Sequence, residues 1–375
     1  MAMRSAFDSN VRHLHLDLAK STQYTILGMG MGMVSCFPRL EHLAVVNVMP
    51  DLACDRVLKL ILMGCRSRRL RSLSIKAINP GLSLPPMEVP ACLARLTSLE
   101  RLSLFLIRPP TETLRELRGL RHLCIERCKL IGATLNAALR ELTGLQHLVL
   151  SRNEFETESV DAIVPALREL TGLRHLDLSK NHMNHSGADA LAQALRELTG
   201  LQHLDLGYNM LGSNGAGALA QSLRELTGLQ HLDLSVNILN NCFVTLAPAL
   251  HKLTGLQVLR IGGNGFMDDH ADMAALVPAL LKLTGLKHLC MSSNELSVSA
   301  AKKLAPVMQR LSCLRYLDLS DNDLCSNGVA IIIHAIRGSN LERLLIYDNS
   351  MSDDEADVLS VVTKLFLPNI DLNIV

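Results

Sequence analysis

Residues 201–237 read LQHLDLGYNMLGSNGAGALAQSLRELTGLQHLDLSVN, and this stretch opens and closes on almost the same nine residues. The shared pattern is L-x-x-L-x-L-x-x-N, which starts at Leu201 and again at Leu229. Further strong copies start at Leu120, Leu145, Leu173, Leu256, Leu286, Leu314 and Leu341. Weaker copies start at Val11, Leu40, Leu70 and Leu99, and a half copy starts at Leu367. The regular spacing predicts one structural unit that is repeated about fourteen times.

Each copy predicts a short strand followed by a helix. The L-x-L core of the pattern is a strand whose leucines point to one side, because side chains alternate along a strand. The run that follows, residues 187–198 in one copy, carries apolar residues at helical spacing, which predicts a helix packed on one face. Gly200 follows as an expected helix stop, since glycine suits the left-handed conformation that often ends a helix.

The asparagine that closes the pattern lies where the chain turns off the strand. The eight asparagines at this position are Asn153, Asn181, Asn209, Asn237, Asn264, Asn294, Asn322 and Asn349. Stacked copies would let each side-chain amide satisfy backbone groups of the adjoining turns, because buried polar groups are hydrogen-bonded. We therefore expect a buried, structural asparagine ladder.

The repeated LRELTGLQHLDLS segments, around Leu201 and Leu229, resemble the ribonuclease-inhibitor-like subfamily of leucine-rich repeat proteins. That subfamily also includes the sensor regions of NLR immune receptors and Ran GTPase-activating proteins. The resemblance implies an α/β solenoid, a curved horseshoe with a parallel inner sheet of about fourteen strands and outer helices. We expect a single domain over residues 1–375. Within it, divergent repeats occupy 11–119, regular repeats occupy 120–366, and a terminal half-repeat strand occupies 367–375.

Composition narrows the class of protein further. Hydrophobic residues make up 48% and aromatic residues 3% of the chain, so leucine must fill a large core and disorder is excluded. The formal net charge is +1, which excludes a whole-chain electrostatic argument for binding nucleic acid or membrane. The longest apolar stretch, residues 26–37, is too short to span a bilayer.

The cysteines and the start of the chain bear on its location. The ten cysteines contain no C-x-x-C pair and no zinc-ligand spacing, which is typical of reduced cysteines in a reducing compartment. The first residues lack the basic and apolar regions of a secretory signal. We therefore expect a cytoplasmic protein, with a nuclear or other intracellular assembly as the alternative.

A partner would contact the concave, strand-side surface, where most copies carry nearly the same residues and the departures are informative. The candidate partner-binding residues are Arg71, Arg101, Phe105, Arg121, Tyr208, Arg260, Tyr316, Arg343 and Tyr347. Tyrosine and arginine dominate the hot spots of protein interfaces. Because Tyr316 and Tyr347 belong to neighbouring copies, we expect a C-terminal contact patch around them, and Phe105 would seed a second patch.

Two further features of the strand-side positions have alternative interpretations. The third position of the pattern is histidine at His13, His42, His122, His147, His175, His203, His231 and His288. This histidine column has three interpretations. It is a template residue that was copied with the repeat, a surface whose binding depends on pH, or a metal site. Charge is also polarised, with 19 Lys/Arg against 10 Asp/Glu in residues 1–130 and 18 against 26 in the remainder. This polarity suits a partner of opposite polarity or reflects an ordinary solvated surface.

Motifs for catalysis are missing from the sequence, which has no phosphate-binding loop, no nucleophile elbow and no H-E-x-x-H. Asp268, Asp269, His270 and Asp272 lie close together after Asn264. Aspartates at a helix start are usually caps that complement the helix dipole, so we interpret this group as structural rather than metal-binding.

These observations predict a non-enzymatic protein–protein interaction solenoid, a structural or scaffold subunit of a larger assembly. Apolar strands at both ends of the array favour that role, since an uncovered edge strand invites association. One alternative is a reversible recognition or sensor module that binds a protein ligand on the concave face. A second is a GTPase-activating protein of the Ran type, for which no catalytic residue can be matched. We expect protein partners, and we expect no cofactor, metal, small-molecule substrate, nucleic acid or membrane span.

Overall fold

The computed structural model describes residues 11–18, 37, 39–49, 52–65, 69–78, 87–265 and 270–374. The chain divides into two compact units, Met1–Leu176 and Asp177–Val375. Both units repeat the same order of elements, a strand, a turn and a helix. The single domain over 1–375, with boundaries at 119/120 and 366/367, stays a prediction.

The first unit contains a parallel sheet built from the divergent repeats and the first regular repeats. Its strands in chain order are β1 (His13–Asp17), β2 (His42–Val48), β3 (Ser72–Ala77), β4 (Met87–Glu88), β5 (Arg101–Phe105), β6 (Ile107–Arg108), β7 (His122–Glu126), β8 (His147–Val149) and the first residues of β9 (His175–Asp177). Its helices are α1 (Leu52–Gly64), α2 (Thr111–Arg115), α3 (Gly132–Leu139) and α4 (Thr157–Glu169), with a 3₁₀ helix at Ala91–Arg95. Neighbouring strands pair in register, so that Arg101 lies opposite His122. The separate pair formed by β4 and β6 was not predicted by the repeat pattern.

The second unit repeats the same elements with strands of three residues. Its strands are β10 (His203–Asp205), β11 (His231–Asp233), β12 (Val258–Arg260), β13 (His288–Cys290), β14 (Tyr316–Asp318), β15 (Arg343–Leu345) and β16 (Asp371–Asn373). Its helices are α5 (His185–Leu195), α6 (Gly212–Leu223), α7 (Phe243–Leu250), α8 (His270–Leu280), α9 (Val298–Arg310), α10 (Cys325–Ala335) and α11 (Asp353–Phe366). The strands are parallel and in register, with His203 opposite His231 and Tyr316 opposite Arg343.

Leucine fills the core of each repeat. In the copy that starts at Leu201, the strand-side Leu204 and Leu206 and the helical Leu219 and Leu223 are each at most 1% exposed. Full burial of a leucine side chain stabilises a fold by about 1.5–3 kcal/mol. The repeated leucines, rather than aromatic rings, therefore hold the strand and helix layers together.

Helix α5 shows how a cap adjusts the predicted boundaries. The sequence predicts a helix over residues 187–198, whereas α5 begins at His185 and ends at Leu195. The side-chain Oδ1 of Asn184 accepts hydrogen bonds from the backbone N–H groups of Ser186 and Gly187. This N-cap satisfies two groups that a helix start leaves unpaired, so the helix begins two residues earlier than the apolar stripe indicates.

The alternation of parallel strands and helices in both units confirms the predicted fold class, an α/β leucine-rich repeat solenoid. Within the described residues, none of the helices combines the length and the apolar character that crossing a membrane requires.

Candidate protein-binding surface

The asparagines of the repeat pattern are buried in the turns that follow the strands. Each of them is at most 5% exposed, namely Asn153, Asn181, Asn209, Asn237, Asn264, Asn294, Asn322 and Asn349. The side-chain Nδ2 of Asn264 donates to the backbone carbonyls of Leu234 and Ile261, both at 3.0 Å. Its Oδ1 accepts from the backbone N–H of Asn237 at 2.9 Å. Such bonds fix each turn against its neighbour and place the residues on either side of the asparagine at the surface.

A row of carboxylates lies on the strand side of the second unit. Asp177, Asp205 and Asp233 form this carboxylate row, each at the end of a strand. The Oδ1 atom of each accepts a hydrogen bond from the backbone N–H two residues later, at 2.8–2.9 Å. Asp233 is in register with Arg260, whose Nη1 lies 3.6 Å from Asp233 Oδ2. Arg260, a predicted partner-binding residue, is therefore already in contact with a carboxylate.

Asp205 in the middle of the row has a strongly shifted pKa. Burial, followed by the neighbouring carboxylates of Asp233 and Asp177, raises the pKa of Asp205 from 3.8 to about 7. The backbone N–H of Gly207 and the guanidinium of Arg260 lower this pKa but do not offset the rise. The carboxylate row therefore holds a proton near neutral pH, and an approaching cation favours its release.

The histidine column forms stacked rings within each unit. In the first unit the ring centroids of His122 and His147 are 4.2 Å apart, and those of His147 and His175 are 5.4 Å apart. In the second unit the centroids of His203 and His231 are 3.8 Å apart. Burial, with smaller contributions from His147 and His122, lowers the pKa of His175 to about 4. His175 is therefore neutral at physiological pH, which supports a structural stacking role.

The histidine column and the aspartates near α8 are the candidate metal ligands of the sequence. No group of three or more His, Cys, Asp or Glu side chains in the described part of the chain could hold a metal ion. Asp268 and Asp269 and the His270 side chain lie outside the described residues. Asp272 is 2% exposed, and its Oδ1 accepts from the backbone N–H of Val244 at 3.0 Å, close to the start of α7. That contact is a structural one between neighbouring repeats.

Tyr316, one of the two tyrosines of the predicted C-terminal patch, lies near Arg343 on the next strand. The ring of Tyr316 stacks on His288 with centroids 3.9 Å apart, and the guanidinium of Arg343 lies 6.0 Å from the Tyr316 ring centroid. Arg343 Nε also lies 3.2 Å from a carboxylate oxygen of Asp371. Tyr347 is half-buried and lies two residues beyond the end of β15, off the strand that carries Arg343.

The predicted residues of the early repeats are spread along the strands of the first unit. Lys76 Nζ lies 5.2 Å from the ring centroid of Phe105, so a cation already covers this aromatic ring. Arg71 Nη1 lies 3.0 Å from Glu100 Oε1 on the next repeat. Part of the basic character of this end is thus neutralised by ion pairs between neighbouring repeats.

Arg101 and Arg121 are exposed and lie beside His122, Arg101 opposite it on the neighbouring strand and Arg121 directly before it in the sequence. Burial lowers the pKa of His122, and the charges of His147, Arg101 and Arg121 lower it further. The two arginines therefore keep a local positive potential at this point of the first unit.

Four exposed apolar side chains flank the buried asparagines of two consecutive repeats. Tyr208 and Met210 are 53% and 48% exposed, and Val236 and Ile238 of the next repeat are 38% and 59% exposed. These four residues form the apolar patch. The backbone N–H of Tyr208 donates to the carbonyl of Ser235 at 2.7 Å, which places the two turns side by side.

Among the four residues of the apolar patch, the sequence analysis predicts only Tyr208 as a partner-binding residue. A comparison of the residues that flank the asparagine from copy to copy would have found the other three. In the other copies these residues are Arg152, Glu154, Lys180, His182, Gly263, Gly265, Ser293, Glu295, Asp321, Asp323, Asp348 and Ser350. All of them are polar or glycine, so the apolar patch is a local departure from the repeat.

Comparisons with known proteins agree with this architecture. A family model described as Leucine Rich repeat matches residues 170–192, 198–220 and 310–330. Among solved structures, an internalin from Listeria monocytogenes is similar in fold, with a TM-score of 0.53 and 18% sequence identity over 94% of this chain and 82% of that chain. A comparison with curated proteins gave no match. The chain therefore contains leucine-rich repeats arranged as a solenoid, a fold typical of protein–protein interaction.

Proposed function

We propose that the chain is a non-enzymatic recognition solenoid that binds a protein ligand on the strand side of its second unit. The apolar patch carries this proposal. It exposes four large apolar side chains at turn positions where every other regular copy has a polar residue or glycine. Isolated exposed apolar residues are ordinary, whereas a contiguous group marks an interaction site.

The cluster around Tyr316 supports the same proposal. Tyr316 and Arg343 are the residue types that dominate binding hot spots, and they lie on neighbouring strands of the unit that carries the apolar patch. A ligand that spans several repeats would contact both groups, as expected for an extended repeat surface.

Site-specific photo-crosslinking in cells tests the proposal on the full chain. A photoreactive residue at Ile238 or Tyr316 should give a covalent adduct of defined mass with a protein partner. The same residue at Val244, which is 51% exposed on α7 of the same unit, is the matched control and should give none. Adducts from Val244 alone, or no adduct from any position, would contradict recognition by the strand side.

A second candidate function is that of a permanent structural subunit of a larger assembly. The observation that favours it is an exposed apolar stripe on α11, where Val358 and Val361 are each 62% exposed and Leu365 is 73% exposed. Permanent interfaces are larger and more apolar than transient ones. Native mass measurements of the tagged protein during serial dilution separate the two candidates. A complex of fixed stoichiometry that survives dilution supports the subunit, and concentration-dependent release supports reversible recognition.

The proposal also includes the repeat subfamily, which is the ribonuclease-inhibitor-like one, and an intracellular location. A ribonuclease-inhibitor-like repeat is supported by the helix that follows each strand of the regular repeats up to α11. An intracellular location is supported by the cysteines of the described residues, since Cys65 and Cys128 are buried free thiols rather than members of disulfides. Fluorescence imaging of a tagged full chain tests the location.

A further inference from the structure

The apolar patch is built by the backbone of the turns themselves. Tyr208, Val236 and Ile238 have φ values of 57°, 54° and 57°, in the left-handed region that glycine and asparagine occupy most readily. For a β-branched side chain this conformation is strained. The corresponding residues of the copy at Leu256 are Gly263 and Gly265, so the turn does not require a bulky residue. The apolar patch therefore exposes apolar side chains even though their backbone conformation lowers the stability of the fold.

The carboxylate row lies directly beside the apolar patch. Asp205 and Asp233 each precede a patch residue by three positions and are in register with each other. Neighbouring parallel strands lie about 4.8 Å apart, so the two carboxylates are close enough to share one cation. Gly207 stands between Asp205 and Tyr208, and a Cβ added there would lie 3.1–3.2 Å from Oδ1 of both carboxylates. Because Gly207 has no Cβ, its own side chain does not fill the space beside these two oxygens.

Cations of the chain itself already contact both parts of this surface. Lys180 Nζ lies 4.7 Å from the ring centroid of Tyr208, and Arg260 lies against Asp233. These contacts show which ligand chemistry the surface accepts, an alkyl-ammonium or guanidinium group beside an aromatic ring and a carboxylate. The pKa of Asp205 is nevertheless about 7, because the positive charge of Arg260 does not offset burial and the neighbouring carboxylates. The centre of the carboxylate row is therefore not neutralised by a cation of the chain itself.

We propose that the apolar patch, together with Asp205 and Asp233, is a docking site for a protein segment that carries an arginine or lysine next to a large apolar side chain. The apolar side chain lies on Met210, Val236 and Ile238. The cation reaches the carboxylates over Gly207. This inference rests on the proposed protein-binding function and adds the place and the chemistry of the ligand.

The site makes binding depend on pH. The charged groups that act on Asp205 are Asp233, Asp177 and Arg260. Below pH 7 the Asp205 carboxyl is neutral and attracts a cation weakly, and above pH 7 it is charged and attracts the cation strongly. A bound cation therefore displaces this proton, and affinity should rise by up to about tenfold from pH 6 to pH 8.

Selection from a random twelve-residue peptide library displayed on phage, with the full chain as bait, tests the inference. We expect enriched peptides with an arginine or lysine within three residues of a large apolar side chain. The most enriched peptide, synthesised with a fluorophore, is then the probe for anisotropy titrations. Enrichment of acidic or purely polar peptides, or no enrichment, would overturn the proposal.

Variants locate the binding of that peptide. Ile238→Glu should weaken it by about tenfold or more, because it adds a charge to an apolar contact. Asp205→Asn should weaken it and remove its dependence on pH. Val244→Glu is the matched control and should leave the affinity unchanged, and thermal unfolding of all three variants checks their folding. Equal affinity of the wild type, Ile238→Glu and Asp205→Asn would overturn the docking site.

The proposed function and this inference can fail separately. If the photoreactive residue at Tyr316 labels a cellular partner while the residue at Ile238 does not, recognition stands and the docking site is wrong. If no position is labelled, the proposed function itself is contradicted.

Discussion

The side-chain Oδ1 of Asn264 accepts a hydrogen bond from the backbone N–H of Asn237 at 2.9 Å, whereas the Oδ1 of Asn237 has no donor among the described residues. Asn264 Oδ1 also faces the N–H of Leu239 at 3.4 Å. Both asparagines are at most 1% exposed. The two asparagines occupy the same position in neighbouring repeats but differ in how completely their side chains are hydrogen-bonded. Asn237, whose side chain lacks one bond, lies between Val236 and Ile238 of the apolar patch.

This difference predicts unequal costs of the same substitution. Asn264→Ala leaves the N–H of Asn237 and several turn carbonyls buried without partners, at about 1–3 kcal/mol for each group. Asn237→Ala removes only donors, which serve the carbonyls of Leu206 and Leu234. We expect Asn264→Ala to lower the free energy of unfolding by about 3 kcal/mol or more and Asn237→Ala by clearly less. Urea unfolding at pH 7 measures both, and an equal or larger loss for Asn237→Ala would contradict the ladder geometry.

A second prediction concerns the close approach of two helices in the first unit. A Cβ added to Gly132 at the start of α3 would lie 2.6 Å from the backbone Cα of Ser159 in α4. Because the obstacle is backbone, Gly132→Ala should destabilise the protein by roughly 1–3 kcal/mol. Gly217 in α6 is the control, since an added Cβ there meets nothing within 4 Å.

The control substitution should act in the opposite direction. Gly217→Ala replaces an exposed helical glycine by the best helix former, so it should stabilise the protein by about 0.5–1 kcal/mol. Thermal unfolding of Gly132→Ala and Gly217→Ala measures the expected loss and the expected gain of stability in one experiment. Destabilisation by Gly217→Ala, or tolerance of Gly132→Ala, would show that α3 and α4 are farther apart than described.

The carboxylate row predicts a stability that falls as pH rises. The pKa of Asp205 in the folded protein is about 7, above its usual 3.8, so the folded state holds a proton that the unfolded state has lost. This contribution to stability is fully present below pH 3.8 and is lost as pH rises through 7. Asp205→Asn should therefore stabilise the protein at pH 8, by roughly 1 kcal/mol or more, and much less at pH 4.

Urea unfolding of the wild type and Asp205→Asn at pH 4, 6 and 8 checks this sign. Asp189→Asn, on the exposed face of α5, is the control, and its effect should not change over the same range. A stabilisation by Asp205→Asn that is constant with pH would mean that Asp205 is ionised throughout.

Much of the fold could be predicted from the sequence, because the repeat supplies the same local signals many times. The alternation around Leu204 and Leu206 identifies the strand, and both leucines are buried as that alternation requires. The start of α5 could not be placed, because it depends on a cap by Asn184 rather than on the apolar stripe. The pair of β4 and β6 also escaped prediction, since it lies between repeats and outside their pattern.

The candidate site was less accessible to sequence reasoning. Tyr208 is conspicuous because aromatic residues are rare in this chain, whereas an isoleucine such as Ile238 is ordinarily assigned to the core. Ile238 is exposed because the buried Asn237 holds the turn in place and because Ile238 itself has a positive φ, which directs its side chain outward. Charge counts along the chain do not reveal local pairing, since Arg71 and Glu100 are 29 residues apart in sequence and form an ion pair across neighbouring repeats.

The histidine column predicts acid lability in the first unit. Burial, with the charges of His147 and His122, lowers the pKa of His175 from 6.5 to about 4. The unfolded chain therefore binds a proton below pH 6.5 that the folded protein does not, and stability should be lost progressively as pH falls from 6.5 to 4. His175→Gln should reduce this loss, because glutamine keeps a polar side chain that does not titrate. Chemical unfolding at pH 7, 5.5 and 4.5 measures the slope, with His251→Gln at an exposed position as the control. If wild type and His175→Gln lose stability in parallel, the stacked histidines do not set the acid sensitivity of this unit.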